Sequence, residues 1–322
     1  MRSFVISELD NNQRLNRFLA KTVPALGGTL MYKYLRQKRI KVNGKKATAD
    51  TRLLIGDEVI LYINDEFFTK QPVREDYMKA SKRIDIVYED DQIVIMSKEA
   101  GILSHSDKGN ESDTLVNRFL RYLSEKGEYS SDSSSSFTPA LCNRLDRNTS
   151  GLVIAAKTPT ALREMNLAIR QNDVKKYYLA VTVFKPPKDG IYTAYLRNTN
   201  NNLVEVSSSI KEGSKEITTA IRTIYEKNNL YICEIQLISG RKHQIRAHLK
   251  HLGCPILGDP AYGDKKKNER LKIFSQVLVS HMISFDFEDN SLYYPTLSHL
   301  NKRSFTALGI KEKLISLVDS FS

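Results

Sequence analysis

Apolar residues recur along this chain at two spacings, and each spacing predicts an element. Leu15, Phe18 and Leu19 fall at helical intervals, and Leu30, Tyr34 and Leu35 do so again after a Gly27-Gly28 break, so two short helices are expected near the N-terminus. Ile40-Lys41-Val42 then runs into Asn43-Gly44, a dipeptide that supplies the two positive φ angles of a type I′ hairpin turn. A strand from Glu58 to Ile63 follows Gly56-Asp57. Residues 64–82, with Pro72 and many charges, carry no period and read as a linker.

From Ile84 onward alternation takes over. Ile84, Ile86 and Tyr88 alternate, Ile93 to Met96 is continuously apolar, and Asp90-Asp91 is the turn between them. Leu115 to Leu123 is helical in period. Tyr129 to Phe137 is Ser-rich and reads as a surface loop, most simply a tolerated insertion. Leu152 to Ala156 reads as a buried strand. Thr158 as N-cap and Pro159 at the first helical position open a helix with Leu162, Met165 and Ile169 facing in. Strands follow at Lys176–Val181 and Tyr231–Ile238, the second placing Cys233 in the core. Ser239 to Leu249 reads as a turn entering a helix. The organisation expected is a small module over 1–63, a linker over 64–82 and a larger domain over 83–322.

Composition narrows the class. Of the 322 residues, 49 are Lys or Arg and 37 are Asp or Glu, a formal net charge of +12. Through Tyr62 there are twelve basic and five acidic residues, so the first module holds over half of that charge. Lys33, Arg36, Lys38, Arg39 and Lys41 cluster where its helices meet its hairpin. Such a concentration suits a polyanion, because neutralised phosphates release counterions. Three separated cysteines without a CxxC pair suggest a reducing compartment, a cytoplasmic protein and no zinc site. His243, His248 and His251 do not match metal-pair spacing, and no phosphate-cradling glycine loop occurs, so neither metal nor cofactor is expected. No apolar run approaches eighteen residues, so no membrane span is expected.

Chemistry concentrates in two segments. In Asn143-Arg144-Leu145-Asp146-Arg147-Asn148-Thr149-Ser150-Gly151 an aspartate lies between arginines just before a buried strand, where a scaffold can hold a carboxylate at the mouth of a cleft. On these residues alone, a surface ion pair capping a turn is an equal reading. The second segment is SGRKHQIRAHLKHLGCPILGDPAYG, starting at Ser239.

The strings NRLDRNTSGLVIAAKT, KKYYLAV and SGRKHQIRAHLKHLGCPILGDPAYG, in that order, resemble the RluA-type family of RNA pseudouridine synthases over about residues 84–287. The pattern RLNRFLA, LRQKRIKVNGKKA, LLIGDEVIL in the first module resembles a small RNA-binding domain shared by a ribosomal protein and several RNA-modifying enzymes. The resemblance implies an α+β fold: a catalytic domain with a central, largely antiparallel mixed sheet flanked by helices, plus the small α/β module. It implies Asp146 as the catalytic aspartate, Tyr178 lining the site with Tyr177 turned away, Arg246 paired with Asp146, and Arg144 displacing the target nucleotide from the RNA stack. Arg147, Arg241, His243 and Gln244 are expected against the RNA. The reaction breaks the glycosidic bond of a uridine, turns the uracil and rejoins it through carbon 5. Asp146 could attack the sugar or the base, or stabilise developing charge. Tyr178 could stack on uracil or assist loss of the carbon-5 proton.

Two positions depart from the family pattern. Asn143 stands where many relatives have histidine, which argues against an essential imidazole there. The common Lys-Pro-Ala-Gly turn is Lys98-Glu99-Ala100-Gly101, a looser turn with no expected effect on the chemistry. The partner expected is RNA, ribosomal RNA of the large subunit ahead of transfer RNA, bound by a monomer. A catalytically silent ribosome-assembly factor on the same fold is the alternative. Deleting residues 1–62 is accordingly expected to weaken RNA binding and to flatten its dependence on salt concentration; an unchanged slope in a binding titration refutes the assignment.

Overall fold

The computed structural model describes residues 1–7, 10–68, 76–106, 111–130, 137–199, 203–287 and 291–321. The first sixty residues build their own sheet from β1 (Arg2–Val5), β2 (Ile40–Val42), β3 (Lys45–Lys46) and β4 (Glu58–Leu61), in the order β1-β4-β2-β3. Helices α1 (Leu15–Thr22) and α2 (Gly28–Arg36) lie on it. Leu15, Phe18, Leu19, Met31 and Leu35 pack there against Ile40, Val59 and Leu61, a separate core. The hairpin turn forms as its residues dictate, with φ of 49° at Asn43 and 73° at Gly44. The Asn43 side chain then ties the turn to the next strand, accepting from Glu58 N–H and donating to Asp57. Strand β1 has no signature in the hydrophobic pattern, because of its four residues only Phe4 is even half-buried.

The second sheet is larger. In chain order its strands are β5 (Asp85–Glu89), β6 (Ile93–Lys98), β7 (Ala140–Leu141), β8 (Ser150–Ala156), β9 (Val174–Thr182), β10 (Gly190–Asn198), β11 (Val204–Ser207), β12 (Lys215–Lys227), β13 (Leu230–Leu237), β14 (Leu278–Phe285) and β15 (Ser304–Thr306). They run in the order β11-β10-β12-β13-β9-β14-β8-β6-β5, with β15 added to β14 and β7 to β8. Among the described strands only β14 and β8 pair in parallel, so the sheet is largely antiparallel and mixed, as expected. The helices are α3 (Leu115–Glu125), α4 (Pro159–Gln171), α5 (Gln244–His251), α6 (Lys265–Leu271) and α7 (Ile310–Asp319).

Both faces of this sheet are covered. Leu115, Phe119 and Leu123 of α3 and Ile245 and Leu249 of α5 close one cluster over Val94, Val153, Cys233 and Ile235. Ala161, Met165 and Ala168 of α4 close another over Ile95 and Ile154. Leu314 and Val318 of α7 close a third over Val181 and Ile232. Thr158 caps α4 by accepting from Ala161 N–H, and Asn172 ends it in the left-handed conformation. The three cysteines are free thiols. No helix among the described residues is long and apolar enough to cross a membrane.

The segment that reads as a linker is tied at both ends. Phe67 and Phe68 pack on the first core. Beyond residues 69–75, which lie outside the described residues, Tyr77 is buried and meets the Tyr129 ring, while Arg121 of α3 donates to the carbonyls of Met78 and Ala80. Aromatic residues spaced without a period anchor the described parts of this linker, contacts that the hydrophobic pattern does not record. Of the Ser-rich loop, residues 131–136 also lie outside the described residues.

One glycine joins the two halves of the large sheet. Gly151, at φ 107°, sits against β14 so closely that a Cβ would lie 2.1 Å from the Ser280 carbonyl oxygen. Gly151→Ala is therefore expected to cost about 2–4 kcal/mol through left-handed strain and overpacking of backbone. Urea denaturation reads that loss, and a variant as stable as the parent contradicts the packing described.

Candidate active site

The cleft opens at the ends of β8, β13 and β14 and over the middle of β9, beside the N-terminus of α5. Arg144, Leu145, Asp146, Thr149, Tyr178, Leu237, Arg241, His243, Gln244, Ile245, Arg246 and Leu278 line it, and Asp146 is the single acid among them. The loop that carries Asp146 is fixed on several sides. Ser104 Oγ donates to the Leu145 carbonyl and accepts from Leu145 N–H. Thr149 Oγ1 accepts from Gln276, and Asn143 Oδ1 accepts from Ile154 N–H at 2.8 Å. The asparagine thus fastens the loop's start to β8, a task that needs an acceptor and no acid–base group.

Lys98 clamps the loop's other side. Its side chain is buried, and Nζ donates to the carbonyls of Glu99, Ile102 and Arg147 at 3.0, 2.8 and 2.9 Å. Gly101 N–H reaches the same Arg147 carbonyl. The Lys98-Glu99-Ala100-Gly101 turn is therefore a direct support of the Asp146 loop, a closer connection than the sequence suggests. Burial pushes the Lys98 ammonium down to about 8, against the pull of Asp146.

Arg246 on α5 organises the floor. Its Nε and Nη2 donate to Asp259 at 2.7 and 2.9 Å, and its Nη1 donates to Asp146 Oδ2 at 2.9 Å. The Asp259 side chain has no exposed surface, whereas that of Asp146 keeps 24%. Burial alone would push the guanidinium down, but the hydrogen bonds and charge of Asp259, then of Asp146, hold it above its ordinary value. Burial likewise opposes ionisation of Asp259, and Arg246 with the N–H groups of Tyr262 and Ala261 outweighs it. In the sequence Asp259 stands in the second segment with no role that its residue type declares. The turn glycines around it, Gly258 and Gly263, were the only signal that its position is structured.

Tyr178 on β9 faces the cleft, and Tyr177 lines a groove on the opposite face of the sheet. Burial pushes the Tyr178 phenol up to about 12, against a hydrogen bond from Ser280 and with the charge of Asp146. At neutral pH it is a phenol, able to stack or donate. Arg144 and Arg241 are exposed at the rim. Arg147 turns away from the cleft and donates to the Gly101 carbonyl at 3.1 Å. Gln244, expected against the RNA, is buried instead. Its amide accepts from Ser239 Oγ and Arg241 N–H and donates to Thr218 and Thr219, so it fastens the turn that leads into α5. His243 Nε2 lies 3.8 Å from Asp146. His248 meets Thr219, and His251 meets Ser208, so these three histidines serve different partners.

The pattern of the family described as RNA pseudouridylate synthase matches residues 92–251. Ribosomal large subunit pseudouridine synthase C of Rickettsia bellii is 33% identical over 277 residues, covering 83% of this chain and 87% of that protein. The chain belongs to the RNA pseudouridine synthase family. An RNA pseudouridine synthase of Mycoplasma capricolum is 33% identical over 94% of this chain and 96% of that one. The solved structure of human RNA Pseudouridylate Synthase Domain Containing 4 superposes with a TM-score of 0.55 at 20% identity, over 72% of this chain and 92% of that one, and shares the fold.

In this pseudouridine synthase the buried Asp259 is the anchor of Arg246. Asp259→Asn keeps the shape but removes the charge, and is expected to cost about 3–5 kcal/mol because it leaves a buried guanidinium half-compensated. Urea denaturation measures that cost, and a variant with parental stability removes the anchor role.

Proposed function

We propose that this pseudouridine synthase isomerises uridines of large-subunit ribosomal RNA, with Asp146 as the group that acts on the target nucleoside. The observation that carries the reading is the placement of Asp146: the sole acid among the described cleft-lining residues, partly exposed, and held by an arginine that is itself anchored. The Rickettsia relative's name supports the choice of RNA.

The residues suit an isomerisation. The N1–C1′ bond of the uridine breaks, the uracil turns, a C5–C1′ bond forms and the carbon-5 proton leaves. Asp146 meets the electron-deficient sugar or the base, and Arg246 fixes the carboxylate's direction. Taking a nucleotide out of the stack costs roughly a few kcal/mol. Arg144, exposed at the rim, can fill the vacated space by stacking and phosphate contact. Tyr178, a protonated phenol beside Asp146, supplies a face for the uracil.

Residues 1–63 act in this reading as an RNA-binding module for the domain over 83–322. Lys33, Arg36, Lys38 and Arg39 are exposed and Lys41 half-buried. Tyr32 and Tyr62 lie exposed among them, with Lys41 over the Tyr62 ring, a mixture of charge and aromatic surface that suits single-stranded nucleic acid.

Asp146→Asn tests the chemistry. It is isosteric and still accepts from Arg246, so RNA binding should stay close to that of the parent. Release of tritium from ribosomal RNA labelled at uracil carbon 5 should fall to background. Continued release would remove Asp146 from the mechanism.

A further inference from the structure

Among the described residues that line the cleft, His243 is the one non-glycine residue with a left-handed backbone, at φ 53°. An L-residue adopts that conformation at a cost, and such strain is characteristic of positions whose side chain must be aimed. Here the strain at the N-terminal end of α5 turns the imidazole towards Asp146.

The ring's protonation pattern follows from its neighbours. The Tyr262 hydroxyl accepts from Val204 N–H at 2.9 Å and lies 3.0 Å from His243 Nδ1; because one of its accepting positions is already taken, we assign its own proton to that nitrogen. With Nδ1 the acceptor, the ring proton sits on Nε2. Burial pushes the imidazole below its ordinary value, Asp146 and Asp259 act against that, and Arg246 and Lys242 reinforce it. Burial thus favours the neutral ring. Its Nε2–H lies 3.8 Å from Asp146 Oδ2, beyond hydrogen-bond reach of the carboxylate, and faces the space where the reacting nucleoside must sit.

We propose that His243 is a further catalytic residue, whose Nε2–H donates a hydrogen bond to a carbonyl oxygen of the target uracil as the glycosidic bond breaks. This rests on the reading of Asp146 as the group acting on the nucleoside. When N1–C1′ breaks, both bonding electrons leave with the uracil, and the charge spreads onto its carbonyl oxygens. A donor already aimed at that place stabilises it without reorganising. The proton stays on the imidazole throughout; after the new bond forms the carbon-5 proton leaves to solvent and N1 takes one up from solvent, so the product is an isomer of the uridine. A neutral donor suits the position, because an imidazolium there would pair with Asp146 and blunt it. Arg246 is committed to holding the carboxylates, with Nε, Nη1 and Nη2 each donating to one. Tyr262 is then a positioning residue that selects the tautomer.

Two substitutions separate the ring's two nitrogens. Gln places an amide N–H near the position of Nε2, and Asn places its amide near Nδ1, towards Tyr262. Single-turnover tritium release from a large-subunit ribosomal RNA transcript labelled at uracil carbon 5 is measured beside RNA affinity and thermal melting. His243→Asn is expected to slow the single-turnover rate about 100-fold with affinity and melting unchanged. His243→Gln should recover the rate to within about fivefold of the parent, and Tyr262→Phe should fall between the two. Rescue by Asn and not Gln would show that the imidazole only props Tyr262, and overturns the proposal. Equal loss in both variants, or no loss in either, overturns it too. Asp146→Asn in the same assay reports separately on the underlying reading: if that variant keeps its activity, the reading of Asp146 fails, whatever the His243 variants do.

Discussion

One guanidinium sets the geometry on which the rest of the site depends. Arg246 is shared between Asp259, which is fully buried, and Asp146, which is not. The two carboxylates come from turns more than a hundred residues apart, one before β8 and one after α5. Two N–H groups spent on Asp259 fix the plane of the fork, and with it the direction of the Nη1–H that meets Asp146. Asp146 therefore meets a donor of fixed position, and the helix carrying Arg246 is tied to both turns at once. A lone Arg–Asp pair at the edge of a cleft would be free to swing. The second carboxylate turns it into a fixed reference, at the cost of burying three charges together. Such an arrangement holds only where every remaining lone pair is met, and Asp259 meets that condition by accepting from the N–H groups of Ala261 and Tyr262 as well.

What the sequence reveals of this site follows the range of each interaction. Asp146, Tyr178 and Arg246 each sit inside a local string whose residue types and order carry meaning, and the structure brings all three to one cleft. Lys98, Ser104, Gln276 and Asp259 act across 13 to 127 residues of chain, and no local periodicity records a contact of that kind. Gln244 shows the opposite failure. It stands in the most informative string of the chain, yet its amide is used inside the protein to shape a turn. Adjacency in a motif identified the neighbourhood, and burial decided the role.

The fold divides in the same way. Strands with an apolar face, such as β6, β8 and β13, and helices with clear caps, such as α4, are legible because the core imposes their pattern. Strand β1 is an edge strand whose side chains are mostly solvated. The arm formed by β10, β11 and β12, and the closing elements β14 and α7, received no assignment from the sequence. The arm nonetheless reaches the site, because Val204 N–H on β11 holds the Tyr262 hydroxyl that holds His243. An element with no motif of its own can thus position the partner of a residue that has one.

Charge plays two physically different parts in this chain. The exposed lysines and arginines of the first sixty residues lie in high dielectric, where attraction to a polyanion is strong in sum and screened over about a Debye length. The charges at Arg246, Asp259 and Asp146 lie close together and largely out of water, where salt screens them little. Attraction of a polyanion and alignment of the Asp146 carboxylate therefore respond to different variables: the first to ionic strength and to the number of exposed cations, the second to the burial and geometry of a few atoms. Over half of the net charge of +12 belongs to the first. The second comes close to cancelling, since one guanidinium faces two carboxylates, and its consequence is the direction of a single side chain.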